Sequence, residues 1–169
     1  MIGRAVVAAA LLAAGAWLSV LTGATAHAAP GALCQAANGG HQERAHGDSG
    51  CGARAGRGST ARAQDTSGAG TAIAVASSGG RSDARSLEPK AAALASAKHG
   101  GSANSFATGP GGFSVAQADR NDTALAIGGW GGTAISTTHG VACSGGFALA
   151  WESNTGRVCV RSGSIGYSN

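Results

Sequence analysis

The sequence predicts a mainly β protein: short strands repeated in a β-roll or solenoid-like stack, closed by a C-terminal hairpin and preceded by an export signal. Three observations lead to this reading. The chain from Ala29 onward holds 27 Gly and 29 Ala but only 17 Leu, Ile, Val and Phe, well under the roughly 20% of such residues that an ordinary core needs. Its net charge over that stretch is only +3, 11 basic less 8 acidic residues, so charge repulsion does not account for the composition. A small-bulky-small triplet recurs through the middle, and a pair of cysteines stands at each end. About 20 large apolar side chains would contribute on the order of 40 kcal/mol, against roughly 1.5 kcal/mol of lost entropy per ordered residue. A stack of coils that satisfy one another's backbone groups suits such a chain better than a two-layer globule. A flexible Gly/Ala-rich stalk is the competing expectation.

Residues 1–28 read as a signal peptide. Arg4 gives the positive start, Ala5 to Leu21 the apolar run, and Ala26-His27-Ala28 the small-x-small pattern that places cleavage after Ala28. Residues 29–65 follow as a disulfide-stapled N-terminal segment, 66–140 as the short-strand repeat region, and 141–169 as a stapled C-terminal hairpin. Cys34, Cys51, Cys143 and Cys159 all lie beyond the cleavage point. An even cysteine count in an exported chain points to disulfides. Local pairing, Cys34 with Cys51 and Cys143 with Cys159, is favoured over the two arrangements that would clamp the ends together. Each closed loop is worth about 3 kcal/mol in the entropic account.

The repeat triplets centre on Val75, Leu94, Phe106, Val115, Leu125, Ile135 and Leu149, with four consecutive spacings between 9 and 12 residues. Strands of similar length separated by turns such as Gly109-Pro110-Gly111-Gly112 explain that spacing. A strand turns alternate side chains to opposite faces, so each triplet puts one large group on one side. Stacked coils are expected to bury that bulky column. Two stretches depart from the theme. Ser86-Leu87-Glu88-Pro89, the alanines that follow and Gly100-Gly101 carry helix punctuation, so a short helix over 88–99 competes with a strand. Phe147 to Trp151, the turn residues Ser153-Asn154-Thr155-Gly156 and Arg157 to Val160 make the clearest hairpin.

Ser114-Val115-Ala116 and the later Asn121-Asp122-Thr123-Ala124-Leu125-Ala126-Ile127-Gly128 resemble the head repeats of trimeric autotransporter adhesins, which implies a parallel β-roll over about residues 102 to 136. Neither trimerisation nor anchoring is carried over, because the coiled-coil stalk and membrane anchor of those proteins have no counterpart in this sequence. The signal, the two cysteine pairs and the Ala/Gly-rich middle together resemble small uncharacterised exported proteins of actinobacteria. That likeness implies a compartment and no activity.

Candidate chemistry is sparse. Cys34, His41, His46 and Cys51 are zinc-ligand types, but their spacing matches no structural zinc motif, and a disulfide with exposed histidines is the simpler account. Gly56-Arg57-Gly58-Ser59-Thr60-Ala61 fits a dinucleotide pattern only formally, because no hydrophobic strand precedes it. Arg44, Arg54, Arg57 and Arg62 make a mildly basic stretch without interleaved aromatics, so it reads as a solvated loop, and no nucleic-acid partner is expected. Ser144 near His139, and Asp119 with Asp122, are the residue types of a hydrolase outside any recognised signature. Trp130 between two glycine pairs is either a packing cap or a contact for a sugar, lipid or protein. The expectation is a secreted or cell-envelope scaffold or interaction protein, non-enzymatic, without cofactor or metal, with an unidentified extracellular partner. A small exported hydrolase or metal-binding protein is the alternative.

Overall fold

The structure is a computed structural model that describes residues 31–169; the export segment and its cleavage point after Ala28 lie outside the described residues. Fifteen strands run through them, with no helix. In order they are β1 (Leu33–Ala37), β2 (His41–His46), β3 (Ser49–Ala55), β4 (Thr60–Asp65), β5 (Thr71–Ala76), β6 (Arg81–Ser86), β7 (Ala92–Ala97), β8 (Ser102–Ala107), β9 (Phe113–Ala118), β10 (Thr123–Gly129), β11 (Thr133–Thr137), β12 (Gly140–Ser144), β13 (Phe147–Glu152), β14 (Val158–Ser162) and β15 (Ile165–Ser168).

From β3 to β11 the chain winds as a β-solenoid with two strands to each coil. Odd-numbered strands stack in parallel as β3-β5-β7-β9-β11, and even-numbered strands as β4-β6-β8-β10. The register repeats every 21 residues, as in Gly50 beside Thr71 beside Ala92 beside Phe113, and shortens by one at the last step to Thr133. Antiparallel strands close both ends of the stack. At the start β1 pairs β4 and β2 pairs β3; at the finish β12 pairs β11, and β13, β14 and β15 extend the other sheet. The expected C-terminal hairpin is β13 with β14, placing Trp151 opposite Val158.

The interior is lined by small side chains, which corrects the expected burial of the bulky column. Every buried apolar residue among those described is an alanine or a half-cystine. In β5, Ala72, Ala74 and Ala76 face inward while Ile73 and Val75 are each 39% exposed. Two sheets joined by tight turns leave a narrow interior that methyl groups and hydroxyls fill. The large residue of each triplet must therefore take the outer face. A central pair of serines links the sheets: Ser105 Oγ lies 2.8 Å from both the hydroxyl and the carbonyl of Ser114.

Among the columns into which the register lines these inward residues, one on each sheet carries the cysteines. One runs Cys51, Ala72, Ala93, Ser114, Ala134, Cys143. The other runs Cys34, Ala63, Ala84, Ser105, Ala126, Ala150, Cys159. Each column begins and ends in cysteine. The bridges Cys34–Cys51 and Cys143–Cys159, with Cα separations of 5.7 and 5.9 Å, therefore bolt one sheet to the other at the two ends of the interior. This is the local pairing expected from the spacing.

The alternative helix over 88–99 is not formed. Glu88, Pro89 and Lys90 make a turn in which Lys90, at a φ of 60°, donates its N–H to Ala69 O at 2.7 Å in the preceding coil, and Ala92–Ala97 is strand β7. The neighbouring coils offer β7 a complete backbone partner on either side, which outweighs the helical preference of its alanines.

Candidate functional site

Turns that stack from coil to coil form the corners of the solenoid. At one corner Trp130 and Gly131 both take positive φ, 47° and 68°, the backbone of a tight primed turn. The glycines beside them are required by close approach. A Cβ at Gly132 would stand 1.7 Å from the carbonyl oxygen of Phe147, and one at Gly109 2.2 Å from the nitrogen of Trp130. The turn is thus wedged between the coil before it and β13. Its indole meets the Phe147 ring edge-on, centroids 6.2 Å apart, and stays 68% exposed.

Beside this corner the outer face of the longer sheet is apolar. Its register sets Phe106, Ile127, Leu149, Val160 and Tyr167 in one row, and Leu125, Trp151 and Val158 in the next. Toward the N-terminal coils the same two rows turn polar, with Gln64 and Arg85 in the first and Gln35, Arg62, Asp83 and Asn104 in the second. A groove of about 510 Å³ crosses that polar half. On the opposite sheet a trough of about 780 Å³ has Gly50 and Gly52 as its floor, between His41 and Glu43 on one side and Ile73 and Val75 on the other.

The interior holds two acidic clusters. Asp65, 1% exposed, accepts hydrogen bonds from the Ser49 hydroxyl at 2.5 Å, the Ser67 hydroxyl at 2.7 Å, and the N–H groups of Gly70 and Ser67 at 3.1 and 3.2 Å. Burial opposes its charge, yet these donors prevail and hold the carboxyl below its ordinary pKa. Glu152, fully buried at the end of β13, accepts from the Thr155 N–H at 3.0 Å and from the Thr155 hydroxyl. The Asn154 N–H is shared between Glu152 Oε1 and Asp122 Oδ1. Burial again opposes the charge of Glu152, and the hydrogen bonds from the Thr155 hydroxyl and the Thr155 and Asn154 N–H groups outweigh it, so its pKa also lies below the usual value.

The other sequence candidates are placed apart. The thiols of Cys34 and Cys51 are consumed in their bridge, and His41 and His46 lie exposed on β2. Gly56 to Ser59 is a turn, closed by the Ser59 N–H on Gly56 O at 3.1 Å and leading into strand β4. Arg44, Arg54 and Arg62 sit on strands β2, β3 and β4, which corrects the expected loop. His139 tops the turn between β11 and β12, whereas Ser144 lies at the far end of β12 opposite Thr133. Asp119 pairs with the His99 ring at 2.6 Å, and Asp122 turns inward to accept from the Ser153 hydroxyl and the Asn154 N–H. Sequence reading missed Asp65 and Glu152 as interior acids, and Arg81 and Arg85 on the outer face beside Arg62. The 21-residue period carries their signal, because stepping by it shows which side chains share a face.

The family model that matches this chain covers residues 1–162. The chain belongs to the DUF6764 family of unknown function. No curated protein and no solved structure matches it. Its two disulfides are consistent with an oxidising compartment.

Proposed function

We propose that this chain is an exported, non-enzymatic scaffold or interaction protein of the cell envelope or its surroundings, of the small four-cysteine kind found in actinobacteria. One observation carries the reading: Trp130 is held at a positive φ on a rigid corner with its indole exposed. A bulky residue in that backbone region costs on the order of 1–3 kcal/mol, and the wedged turn holds the indole outward in spite of that cost. An aromatic fixed in this way loses little freedom when it meets a ligand. The apolar rows from Phe106 to Tyr167 continue the contact surface away from the corner.

The test is Trp130→Ala in the mature protein, assayed for retention on cell-envelope fractions and for thermal unfolding. Retention should fall while the melting transition moves little, since the indole gives up only its edge contact with Phe147. Unchanged retention, or a stability loss of about 3 kcal/mol as for a buried tryptophan, would return Trp130 to a packing role.

A further inference from the structure

We infer that the polar groove on the outer face of the longer sheet is a binding site for a carboxylated polysaccharide. It crosses β1, β4, β6 and β8, and two register rows furnish its walls: Gln35, Arg62, Asp83 and Asn104 in one, Thr60, Arg81 and Ser102 in the other. Charge is the first argument. Asp83 is engaged by Arg85 through two hydrogen bonds, Nε at 2.8 Å and Nη2 at 3.1 Å. Arg85 is in turn seated over the Phe106 ring, 5.7 Å from its centroid. The two ion pairs found among the described residues are this one and His99–Asp119. Arg62, which faces Asp83 in the register, and Arg81 therefore stand in the groove outside any ion pair. The Arg62 guanidinium gives one hydrogen bond, from Nη2 to Gln64 Oε1 at 3.3 Å, and its Nε is buried without a partner.

The lining chemistry is the second argument. Guanidinium forks bind carboxylates through paired hydrogen bonds. The amides of Gln35 and Asn104 and the hydroxyls of Thr60 and Ser102 both donate and accept, as the hydroxyls of a sugar do. The apolar part of the lining is alanine alone, Ala36, Ala37 and Ala61, too shallow for the side chains of a peptide. No aromatic ring lies in the groove to stack on a base. Adjacent strands stand about 4.7–4.9 Å apart along the stack, so a polymer lying across them meets a different polar side chain on each strand.

The proposal does not depend on Trp130, and the two fail separately. Polygalacturonate, neutral dextran and poly-L-glutamate are the probes, titrated into mature protein by calorimetry at low and raised salt. Polygalacturonate should bind with an affinity that falls as salt rises, and dextran should not bind. Arg81→Gln, at an exposed position, should weaken polygalacturonate at least tenfold with an unchanged melting temperature. Arg62→Lys, which keeps the charge and loses the fork, should also weaken it, whereas Trp130→Ala should not. Absence of polygalacturonate binding, equal binding of dextran or poly-L-glutamate, or undiminished binding by Arg81→Gln would overturn the inference.

Discussion

Asp65 keeps a charge inside an alanine-lined interior because four donors from three residues converge on its two oxygens. An acid whose folded pKa is depressed stabilises the fold above its unfolded pKa, and that contribution is lost as pH falls through the folded value. Asp65 and Glu152 are both depressed, so the protein should be more stable at neutral pH than at acid pH. Melting temperatures across the acid range should fall on acidification in the wild type and fall less steeply in Asp65→Asn. Because the amide cannot accept all four donors equally, that variant should also melt lower at neutral pH. Equal acid slopes in the two proteins would assign the pH dependence elsewhere. The sequence concealed this residue: Ala61-Arg62-Ala63-Gln64-Asp65 reads as a polar stretch, and only the inward phase of β4 reveals the aspartate as interior.

At the scale of the strand, alternation of small with bulky residues was legible, while the direction in which it points was not. Hydrophobicity favours burying Ile73 and Val75, yet a narrow two-sheet interior selects by volume and takes Ala72, Ala74 and Ala76. The half-coil length was visible in the triplet spacing. The full 21-residue coil was hidden, because strands such as β5 carry two bulky centres and blur the phase. A paired substitution separates the two orientations. Ala84→Val adds methyl groups to a fully buried column and should cost about 1–3 kcal/mol from overpacking. Ile73→Thr removes an outer-face contact and should cost under about 1 kcal/mol. Chemical denaturation of both variants measures the difference, and the reverse order would mean that the bulky face is the buried one.

Across the whole molecule, the reversed strands at either end keep the parallel stack from presenting its own coils to a second copy. β2, His41-Gln42-Glu43-Arg44-Ala45-His46, ends the shorter sheet with charged and imidazole groups that discourage edge-to-edge pairing. The cysteine pairing was legible from sequence because each pair closes a loop of less than one coil, 17 and 16 residues in separation. That the bridges join opposite sheets was not legible, since it follows from the winding. The fixed shape of the Trp130 turn was hidden for a related reason: its glycines answer to neighbouring backbone that only the stack brings near.

Cystines that terminate one inward column on each sheet leave the number of coils between them undetermined by any covalent constraint. Length is then a property that can be edited one repeat at a time, as with beads removed from a clasped string. Excising residues 71–91 joins Gly70 to Ala92, the residue that the register places one coil beyond Thr71, and retains the Ser105–Ser114 link. The shortened chain should fold with both bridges formed, as mass spectrometry of a nonreduced digest would show. Its melting temperature should be lower, since stability in such stacks accumulates roughly coil by coil. Scrambled bridges or loss of cooperative melting would show that the coils are not interchangeable. Chains of this architecture could accordingly differ from one another by whole 21-residue steps while keeping the same clasps.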